Sequence, residues 1–260
     1  MANYKLIISY NGTTYQGWQR SSLGMSIEEI LEQSLQPILK KKVILQAASR
    51  TDSGVHAEAQ VVNFVLEDPL PNLNKFLHSL NGILPQDIRA LNITEQPPSF
   101  HPTLDTIAKR YTYWICNHPI QYPFYRSLSW HFPPLLDLKK MEQAAELLIG
   151  THDFSSFCNS RPLWTRTPIC TLEAITFKIA DSPLICTPPE YRHIHISITG
   201  NRFLYKMMRN LVGTLTYVGC GKIPLEQTPF ILEGKDRVQA GMTAPAHGLR
   251  LSEVLYPKIP

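Results

Sequence analysis

Long hydrophobic runs, paired cysteines and cofactor-binding glycine motifs are all missing from this sequence. No window holds the roughly 18 uncharged apolar residues that a membrane helix needs, and the first residues lack the basic start and apolar run of a signal peptide. We therefore expect a cytoplasmic protein with no membrane partner. The sequence also has no GxGxxG motif, no P-loop and no Cys/His cluster, so it points to no cofactor and no metal.

The cysteines are odd in number and widely spaced. None of the five forms a CxxC pair, which argues against a zinc knuckle and against a disulfide framework. The pattern predicts free thiols, largely buried, at Cys116, Cys158, Cys170, Cys186 and Cys220.

The net charge is weakly positive. A value of +4 and a pI of about 8.7 are compatible with a polyanionic partner but do not demand one. With 43% hydrophobic and 18% charged residues, the chain has the composition of a globular protein. Its 260 residues can form one large domain or two of ordinary size.

Hydrophobic periodicity predicts the order β-α-β-β-α-β twice along the chain. In the first half, Ser26 begins a capping-box pattern before an amphipathic helix. In the second half, Asp137 caps a helix that Gly150 is expected to stop. The predicted strands are 4–10, 43–48, 59–66, 88–94, 107–116, 172–179, 192–199 and 251–255, and the predicted helices include 27–39, 73–80, 138–148 and 203–218, with a short one near 225–232.

Two copies of one order predict an α+β fold made of two ferredoxin-like halves with largely antiparallel sheets. We place the boundary between residues 106 and 107, so that the N-terminal half is 1–106 and the C-terminal half is 107–260. The repeat is one of pattern only, since the halves show no evident identity in sequence.

The segment from Arg50 to Ala57, with the sequence RTDSGVHA, lies between two predicted strands. Asp-Ser-Gly is typical of a turn, in which Asp52 bonds its own backbone and Gly54 takes a positive φ. The alternative is catalytic: a carboxylate facing the Arg50 guanidinium stays ionised and oriented, as a nucleophile or a base requires. Spacing alone leaves both interpretations open.

Six segments in order, RTDSGVHA among them, resemble the tRNA pseudouridine synthase A family. Together they extend over nearly the whole chain, which makes the resemblance specific. The other five are YNGTTYQGWQ at 10–19, FH at 100–101 with KRYTY at 109–113, GTHDF at 150–154, NRFLYKMMRNLVG at 201–213 and APAHGL at 244–249.

The resemblance implies the roles of three residues. Asp52 is the catalytic aspartate, Tyr111 stacks on the target uracil and assists removal of the C5 proton, and Arg209 pairs with the aspartate. Alternation of Tyr111, Tyr113 and Ile115 on one strand face is also typical of core residues, so base stacking by Tyr111 comes from the resemblance alone.

Four further residues are candidates for substrate binding: Arg50, His101, Arg202 and Lys206. We expect Arg202, Lys206 and Arg209 to form a basic stripe beside the apolar face of the helix, facing either RNA phosphate or solvent. His56 is expected to be a structural, hydrogen-bonded histidine.

The implied activity is isomerisation of uridine to pseudouridine in the anticodon stem-loop of tRNA, at positions 38, 39 and 40. The two halves would join around a central RNA-binding cleft, the enzyme would be a homodimer, and no cofactor would be needed. The aspartate would act as the nucleophile, on ribose C1′ or on the uracil ring, although proton abstraction from ribose is an open alternative. The target base would have to be flipped out of its stack.

Three positions depart from the family pattern. Ser49 replaces the usual glycine before Arg50, Thr103 replaces an arginine associated with base extrusion, and His247 occupies a frequent glutamate position. These departures bear on substrate range.

Two other functions compete with this interpretation. One is a non-catalytic RNA-binding paralogue of the same fold, which the Thr103 departure would fit. The other is a metal-dependent hydrolase that uses Asp52, His56 and Asp153, although these residues lack the spacing of a known metal site.

Overall fold

A computed structural model describes residues 1–159, 167–180 and 192–257. The contacts divide the chain into two compact units. The first is Met1–Ile107 with Arg250–Pro260, and the second is Ala108–Leu249. Residues Arg250–Pro260 thus cluster with the first unit, and the division into functional halves at 106/107 stays a prediction.

The first unit contains strands β1 (Ala2–Tyr10), β2 (Gln46–Ala47), β3 (His56–Leu66) and β4 (Ile88–Gln96) with helices α1 (Ile27–Leu39) and α2 (Leu73–Ile83), and all of β10 (Leu249–Leu255) except its first residue. β1 pairs antiparallel with both β3 and β4, β2 pairs antiparallel with β3, and the parallel partner of β3 is β10. Strand β2 is shorter than predicted, and its two residues pair opposite Asn63 and Val62.

The core of the first unit follows from the alternation in β1. Tyr4, Leu6 and Ile8 are completely buried, whereas Lys5, Ile7 and Ser9 between them are half-buried. Helix α1 begins where predicted, because the Ser26 hydroxyl accepts a hydrogen bond from the Glu29 amide. Helix α1 contacts α2, and α2 in turn contacts β4.

The second unit contains strands β5 (Ala108–Asn117), β6 (Trp130–His131), β7 (Gly150–Asp153), β8 (Ile169–Ala180) and β9 (Arg192–Gly200) with helices α3 (Leu138–Glu146), α4 (Met207–Gly219) and α5 (Gln227–Gly234). The pairs β5/β9, β9/β8 and β8/β7 are antiparallel, and β5/β6 is parallel. Asp137 caps α3 as predicted, by accepting from the Lys140 amide.

The mixed α+β class with mostly antiparallel strands is thus confirmed, and the description as two ferredoxin-like halves stays a prediction. Strands β6 and β7 were not predicted. Helix α4 begins at Met207 rather than at the predicted Phe203, because Lys206 adopts a left-handed conformation with φ of 59°.

Cys116, Cys158 and Cys170 are buried and Cys220 is half-buried, and none of these four forms a disulfide. Cys186, the fifth, lies outside the described residues. None of the helices in the described ranges combines the length and apolar character needed to span a membrane.

Candidate active site

Asp52 lies on the loop that leads into β3, and its side chain is half-buried. The Val55 amide donates to the Asp52 carbonyl at 3.1 Å, which closes the loop into a turn. Gly54 has φ of 76°, a conformation that favours glycine. The turn expected from Asp-Ser-Gly is therefore present, and it presents the carboxylate from a short, hydrogen-bonded loop.

Glycines of the YNGTTYQGWQ segment lie directly against this loop. A Cβ on Gly12 would lie 2.0 Å from the Val55 carbonyl oxygen, and one on Gly17 would lie 2.5 Å from that of Thr51. Gly17 also has φ of 86°. Since the opposing atoms are backbone, neither contact tolerates a side chain. Two of the motifs that carried the family resemblance thus form one structure.

Hydrogen bonds join the same two segments. The Trp18 amide donates to the Thr51 carbonyl at 3.0 Å, and the Tyr10 hydroxyl and the Thr51 hydroxyl are 2.8 Å apart. The residue that precedes Asp52 is therefore held through both its backbone and its side chain.

His56 is a structural residue, as expected. It is 4% exposed, and its Nδ1 accepts a hydrogen bond from the Gly12 amide at 3.0 Å. Together with the packing of Gly12 on Val55, this bond fixes the far end of the Asp52 loop.

Arg50 does not orient Asp52 in the way that the turn sequence suggested. Its side chain is exposed, and among the described residues it forms no ion pair with Asp52. The backbone of the preceding residue is held instead: the Ser49 amide donates to Gln60 Oε1 at 3.3 Å, and Gln60 Nε2 donates to the Ser49 carbonyl at 2.6 Å. Gln60 is completely buried and was not singled out by the sequence.

His101 and Thr103 form a turn in the first unit. His101 Nδ1 accepts from the Thr103 and Leu104 amides at 3.1 and 3.2 Å. The Thr103 hydroxyl donates to the carbonyl of Ala47 in β2 at 2.7 Å. The residue that replaces the usual arginine therefore ties this turn to the strand before the Asp52 loop.

Tyr111 lies in β5 opposite Ile198. It is 6% exposed, and its ring meets the ring of Phe203 edge-on, with centroids 5.1 Å apart and planes at 80°. Tyr113 and Ile115, two and four residues further along the strand, are completely buried. The alternation predicted for this face is correct, and aromatic packing fixes the orientation of the Tyr111 ring.

Arg209 lies in the first turn of α4 and is held by Ala244 of the APAHGL segment. Its Nε donates to the Ala244 carbonyl at 2.7 Å, and the Ala244 amide donates to the Arg209 carbonyl at 3.0 Å. Backbone and side chain of the arginine are thus bound by a single residue.

Tyr113 holds the other end of the APAHGL segment. Its hydroxyl donates to the Pro245 carbonyl at 2.8 Å, and a Cβ on Gly248 would lie 2.5 Å from the Tyr113 ring. Burial raises the pKa of Tyr113 well above its ordinary value, although the charge of Arg209 opposes this shift. The hydroxyl therefore remains a donor at neutral pH.

Two other titratable groups have shifted pKa values in this part of the second unit. Burial, reinforced by the charge of Arg209, lowers the pKa of His247, although a hydrogen bond with the Ser129 backbone opposes the shift. Burial also lowers the pKa of Lys109, two residues before Tyr111, to about 8. Arg209 therefore has beside it a histidine that resists protonation.

Arg202 and Lys206 do not form a stripe on α4, because both precede its first residue. Arg202 Nη2 donates to the Thr167 carbonyl, and Lys206 Nζ lies 5.1 Å from the centroid of the Tyr205 ring. The left-handed conformation of Lys206 turns the chain before the helix starts. These two cations thus share a loop, and only Arg209 belongs to the helix.

The residues of the hydrolase alternative do not form a metal site. Across residues 1–159, 167–180 and 192–257, no group of three or more His, Cys, Asp or Glu side chains could hold a metal ion. Asp153 accepts from the Ser155 amide and hydroxyl and pairs with Lys235 at 3.2 Å. That carboxylate therefore serves the local structure of the second unit.

Comparison with known proteins identifies the class to which this combination of motifs belongs. A family model described as tRNA pseudouridine synthase matches residues 6–105 and 144–257. tRNA pseudouridine synthase A 2 of Protochlamydia amoebophila is 49% identical over 257 residues, covering 98% of this chain and 95% of the relative. tRNA pseudouridine synthase A of Thermoanaerobacter sp. is 39% identical, covering 98% and 100%, and tRNA pseudouridine synthase A 1 of P. amoebophila is 39% identical, covering 97% and 96%.

The chain therefore belongs to the tRNA pseudouridine synthase A family, whose members are isomerases that convert uridine to pseudouridine.

Proposed function

We propose that this protein isomerises uridine to pseudouridine in the anticodon stem-loop of tRNA, at positions 38, 39 and 40, with Asp52 as the catalytic nucleophile. One observation carries the proposal. In a chain of this family, a half-buried carboxylate lies on a loop whose backbone is bound on both sides by the YNGTTYQGWQ segment. A nucleophile gains most from such a fixed position.

The reaction exchanges one glycosidic bond for another. The bond between uracil N1 and ribose C1′ breaks, the freed base rotates, and a bond forms between C5 and C1′. The C5 proton leaves to solvent and N1 acquires a proton, so atoms and charge balance without any oxidant or reductant. The Asp52 carboxylate displaces N1 and holds C1′ covalently while the base rotates, and the bond between Asp52 and C1′ breaks when C5 attacks C1′, which frees the carboxylate again.

Tyr111 and Arg209 are proposed to complete the catalytic set. The Tyr111 ring stacks on the uracil and assists the departure of the C5 proton, and the Arg209 guanidinium pairs with the carboxylate. The support is local: the Tyr111 ring is oriented by Phe203, and Nε of Arg209 is bound to Ala244. Both side chains are therefore held in place before any substrate binds.

Binding of tRNA is proposed to involve Arg50, His101, Arg202 and Lys206. Arg50 is exposed, which suits a phosphate contact. Nδ1 of His101 is already engaged, so this residue would contact RNA through Nε2. The target uridine has to leave its stack, which costs a few kcal/mol, and base stacking together with phosphate contacts would offset that cost.

The same proposal extends to the assembly and the architecture. We propose a cytoplasmic homodimer built from ferredoxin-like units around an RNA-binding cleft. The strand order β4-β1-β3, with β2 on the outer edge of β3, supports this description of the first unit.

Release of tritium from tRNA labelled at uracil C5 tests the function directly. Purified wild-type protein in EDTA should release tritium into water, Asp52→Asn should release none, and both should bind tRNA. Asp68→Asn, an exposed aspartate on the loop after β3, is the matched control and should retain the wild-type rate. Substrates that keep uridine at only one of positions 38, 39 and 40 assign the sites.

Other outcomes would contradict the proposal in distinguishable ways. Binding of tRNA without release by the wild type would mean an RNA-binding paralogue. Activity lost only in EDTA would mean a metal-dependent enzyme. Release from a substrate with no uridine at the three positions would place the target elsewhere in tRNA.

A further inference from the structure

The Arg237 side chain, three residues after α5, uses its whole hydrogen-bonding capacity inside the protein. A guanidinium has five N–H donors, and each of the five has an acceptor within 3.4 Å. Nε donates to Asn159 Oδ1 at 3.3 Å. Nη1 donates to the carbonyls of Ala240 at 3.4 Å and Gly241 at 2.8 Å. Nη2 donates to Asn210 Oδ1 and to Thr243 Oγ1, both at 2.9 Å.

All five acceptors are neutral oxygens of amides, carbonyls and a hydroxyl. An arginine that bound RNA phosphate would have to give up some of these bonds, and buried acceptors would lose their donors. A planar fork that satisfies five acceptors in different directions also cannot be reproduced by the single ammonium of lysine. The geometry is that of an internal brace between the loop 236–243 and helix α4.

Asn210 connects this brace to Arg209, the residue that precedes Asn210 in helix α4. Asn210 is completely buried, and its Oδ1 accepts from both Arg237 and the Thr243 hydroxyl, the latter at 2.7 Å. Its Nδ2 donates to the Phe157 carbonyl at 2.6 Å and to Asn159 Oδ1 at 2.7 Å. The helix position that follows Arg209 is thereby fixed against two other segments, 157–159 and the loop 236–243.

Thr243 connects the brace to the residue that holds Arg209. It directly precedes Ala244, which binds both Nε and the carbonyl of Arg209. Asn210 follows Arg209 on the helix, and Thr243 precedes Ala244 on the loop. The chain neighbours of the bonded residues Arg209 and Ala244 therefore both bind Nη2 of Arg237.

Close packing prevents the loop from sliding along the helix. A Cβ on Gly213 would lie 1.7 Å from the Met242 carbonyl oxygen, and one on Gly241 would lie 2.6 Å from Thr214 Cα. The Gly241 amide also donates to the Thr214 hydroxyl at 2.9 Å. Loop and helix backbones are thus in direct contact over the same stretch that Arg237 braces.

We propose that Arg237 is a positioning residue for pseudouridine formation, which orients the Arg209 guanidinium through Asn210 and the Thr243–Ala244 peptide. This inference rests on the proposed function, because it assigns Arg209 to the catalytic set. Arg237 itself touches neither substrate nor the reacting atoms.

The test separates the rate of the bound complex from the strength of binding. Arg237→Lys keeps the charge and loses the fork. With tRNA in excess of its Kd, the single-turnover release of tritium should fall on the order of ten- to hundredfold, whereas the Kd for tRNA should change less than about twofold. Circular dichroism verifies the fold, and Arg126→Lys, an exposed arginine of the same unit, should match the wild type in both measurements.

Thr243 provides a second route if Arg237→Lys does not fold. Thr243→Val keeps the volume and removes the bonds to Arg237 and Asn210, so its single-turnover rate should also fall. Thr243→Ser keeps the hydroxyl and should restore a rate close to that of the wild type. A purely structural role would lower the melting temperature of Thr243→Val but leave its single-turnover rate, measured well below that temperature, at the wild-type value.

Three results would overturn the inference. They are a folded Arg237→Lys protein with the wild-type rate, a folded Thr243→Val protein with the wild-type rate, and a loss confined to tRNA affinity. The last would make Arg237 an RNA contact. Failure of the proposed function looks different, since wild type would then release no tritium or Asp52→Asn would retain activity.

Discussion

The Asp52 loop and the Arg209 helix start are both held rigidly, by different means. In the first unit, glycines at 12 and 17 let one backbone lie against another, and side chains such as His56 and Gln60 bind backbone groups. In the second unit, a buried asparagine and an internal arginine bind a loop to a helix through side-chain hydrogen bonds. Both regions contain close backbone contacts at glycines, but the side chains beside Arg209 bind one another in a network, whereas those at the Asp52 loop bind mainly backbone groups.

The difference decides which substitutions each region tolerates. Close backbone contact fails when volume is added, because a neighbouring main chain cannot rotate away as a side chain can. A buried polar network fails when one partner is removed, because the remaining donors and acceptors stay desolvated. Adding a methyl group in the first region and removing a polar partner in the second should therefore lower stability by comparable amounts.

The largest effect should come from Gly12→Ala. The added methyl group would lie 2.0 Å from the Val55 carbonyl oxygen and 2.7 Å from its carbon, so the Asp52 loop would have to shift. We expect a loss of stability on the order of 3 kcal/mol and loss of tritium release. Thermal unfolding measures the first, at roughly 2–4 °C per kcal/mol for a chain of this size.

Gly82→Ala is the control for that substitution. A Cβ on Gly82, near the end of α2, meets nothing within 4 Å. Alanine has the better helix propensity, so this variant should be more stable by about 0.5–1 kcal/mol and fully active. Equal melting temperatures for the two variants would disprove the role assigned to the backbone contact at Gly12.

Asn210→Leu should give the next largest loss, of about 2–3 kcal/mol. Leucine has a similar volume but cannot serve the Arg237 and Thr243 donors or the Phe157 carbonyl. Asn92→Leu, on an exposed position of β4, should change stability by less than about 0.5 kcal/mol. Similar melting temperatures for the two leucine variants would contradict a stabilising network around Asn210.

Elements with a local cause were predictable from the sequence. The caps at Ser26 and Asp137 fixed the starts of α1 and α3, because a hydroxyl or carboxylate there binds an amide three residues later. The start of α4 was placed four residues too early, since apolar periodicity continues through 203–206 while Lys206 takes a left-handed conformation. Strands β6 and β7 have two and four residues, too few for a periodic signal.

The candidate site likewise has features with a local cause, which the sequence predicts, and long-range contacts, which it does not. The Asp52 turn was predicted because Asp-Ser-Gly carries its own turn chemistry. The packing of Gly12 on Val55, the bonds between Gln60 and Ser49 and the brace at Arg237 join residues far apart in sequence. No local pattern distinguishes Arg237 from a solvated arginine, so only the fold reveals its five acceptors.

His193 sharpens the comparison, because it is a buried polar group of the second unit outside any network. It is 2% exposed, and neither ring nitrogen has a hydrogen-bond partner among the described residues. Its ring lies 4.4 Å from that of Tyr125 between centroids. His193→Phe keeps the aromatic contact and removes the unpaired polar atoms, so it should stabilise the protein by about 1 kcal/mol.

His193→Phe should also reduce the fall in stability between pH 8 and pH 5. Burial lowers the pKa of His193 in the folded protein, so the unfolded chain takes up the proton first, and stability falls as the pH drops below about 6.5. His193→Phe removes this contribution, and the part due to His247, whose pKa burial also lowers, remains. Melting temperatures between pH 8 and pH 5 measure both effects, with His78→Phe on the exposed face of α2 as the matched substitution. A destabilised His193→Phe protein would mean that the imidazole has a polar partner beyond the described residues. His193 would then be a hydrogen-bonded buried group, as Asn210 is.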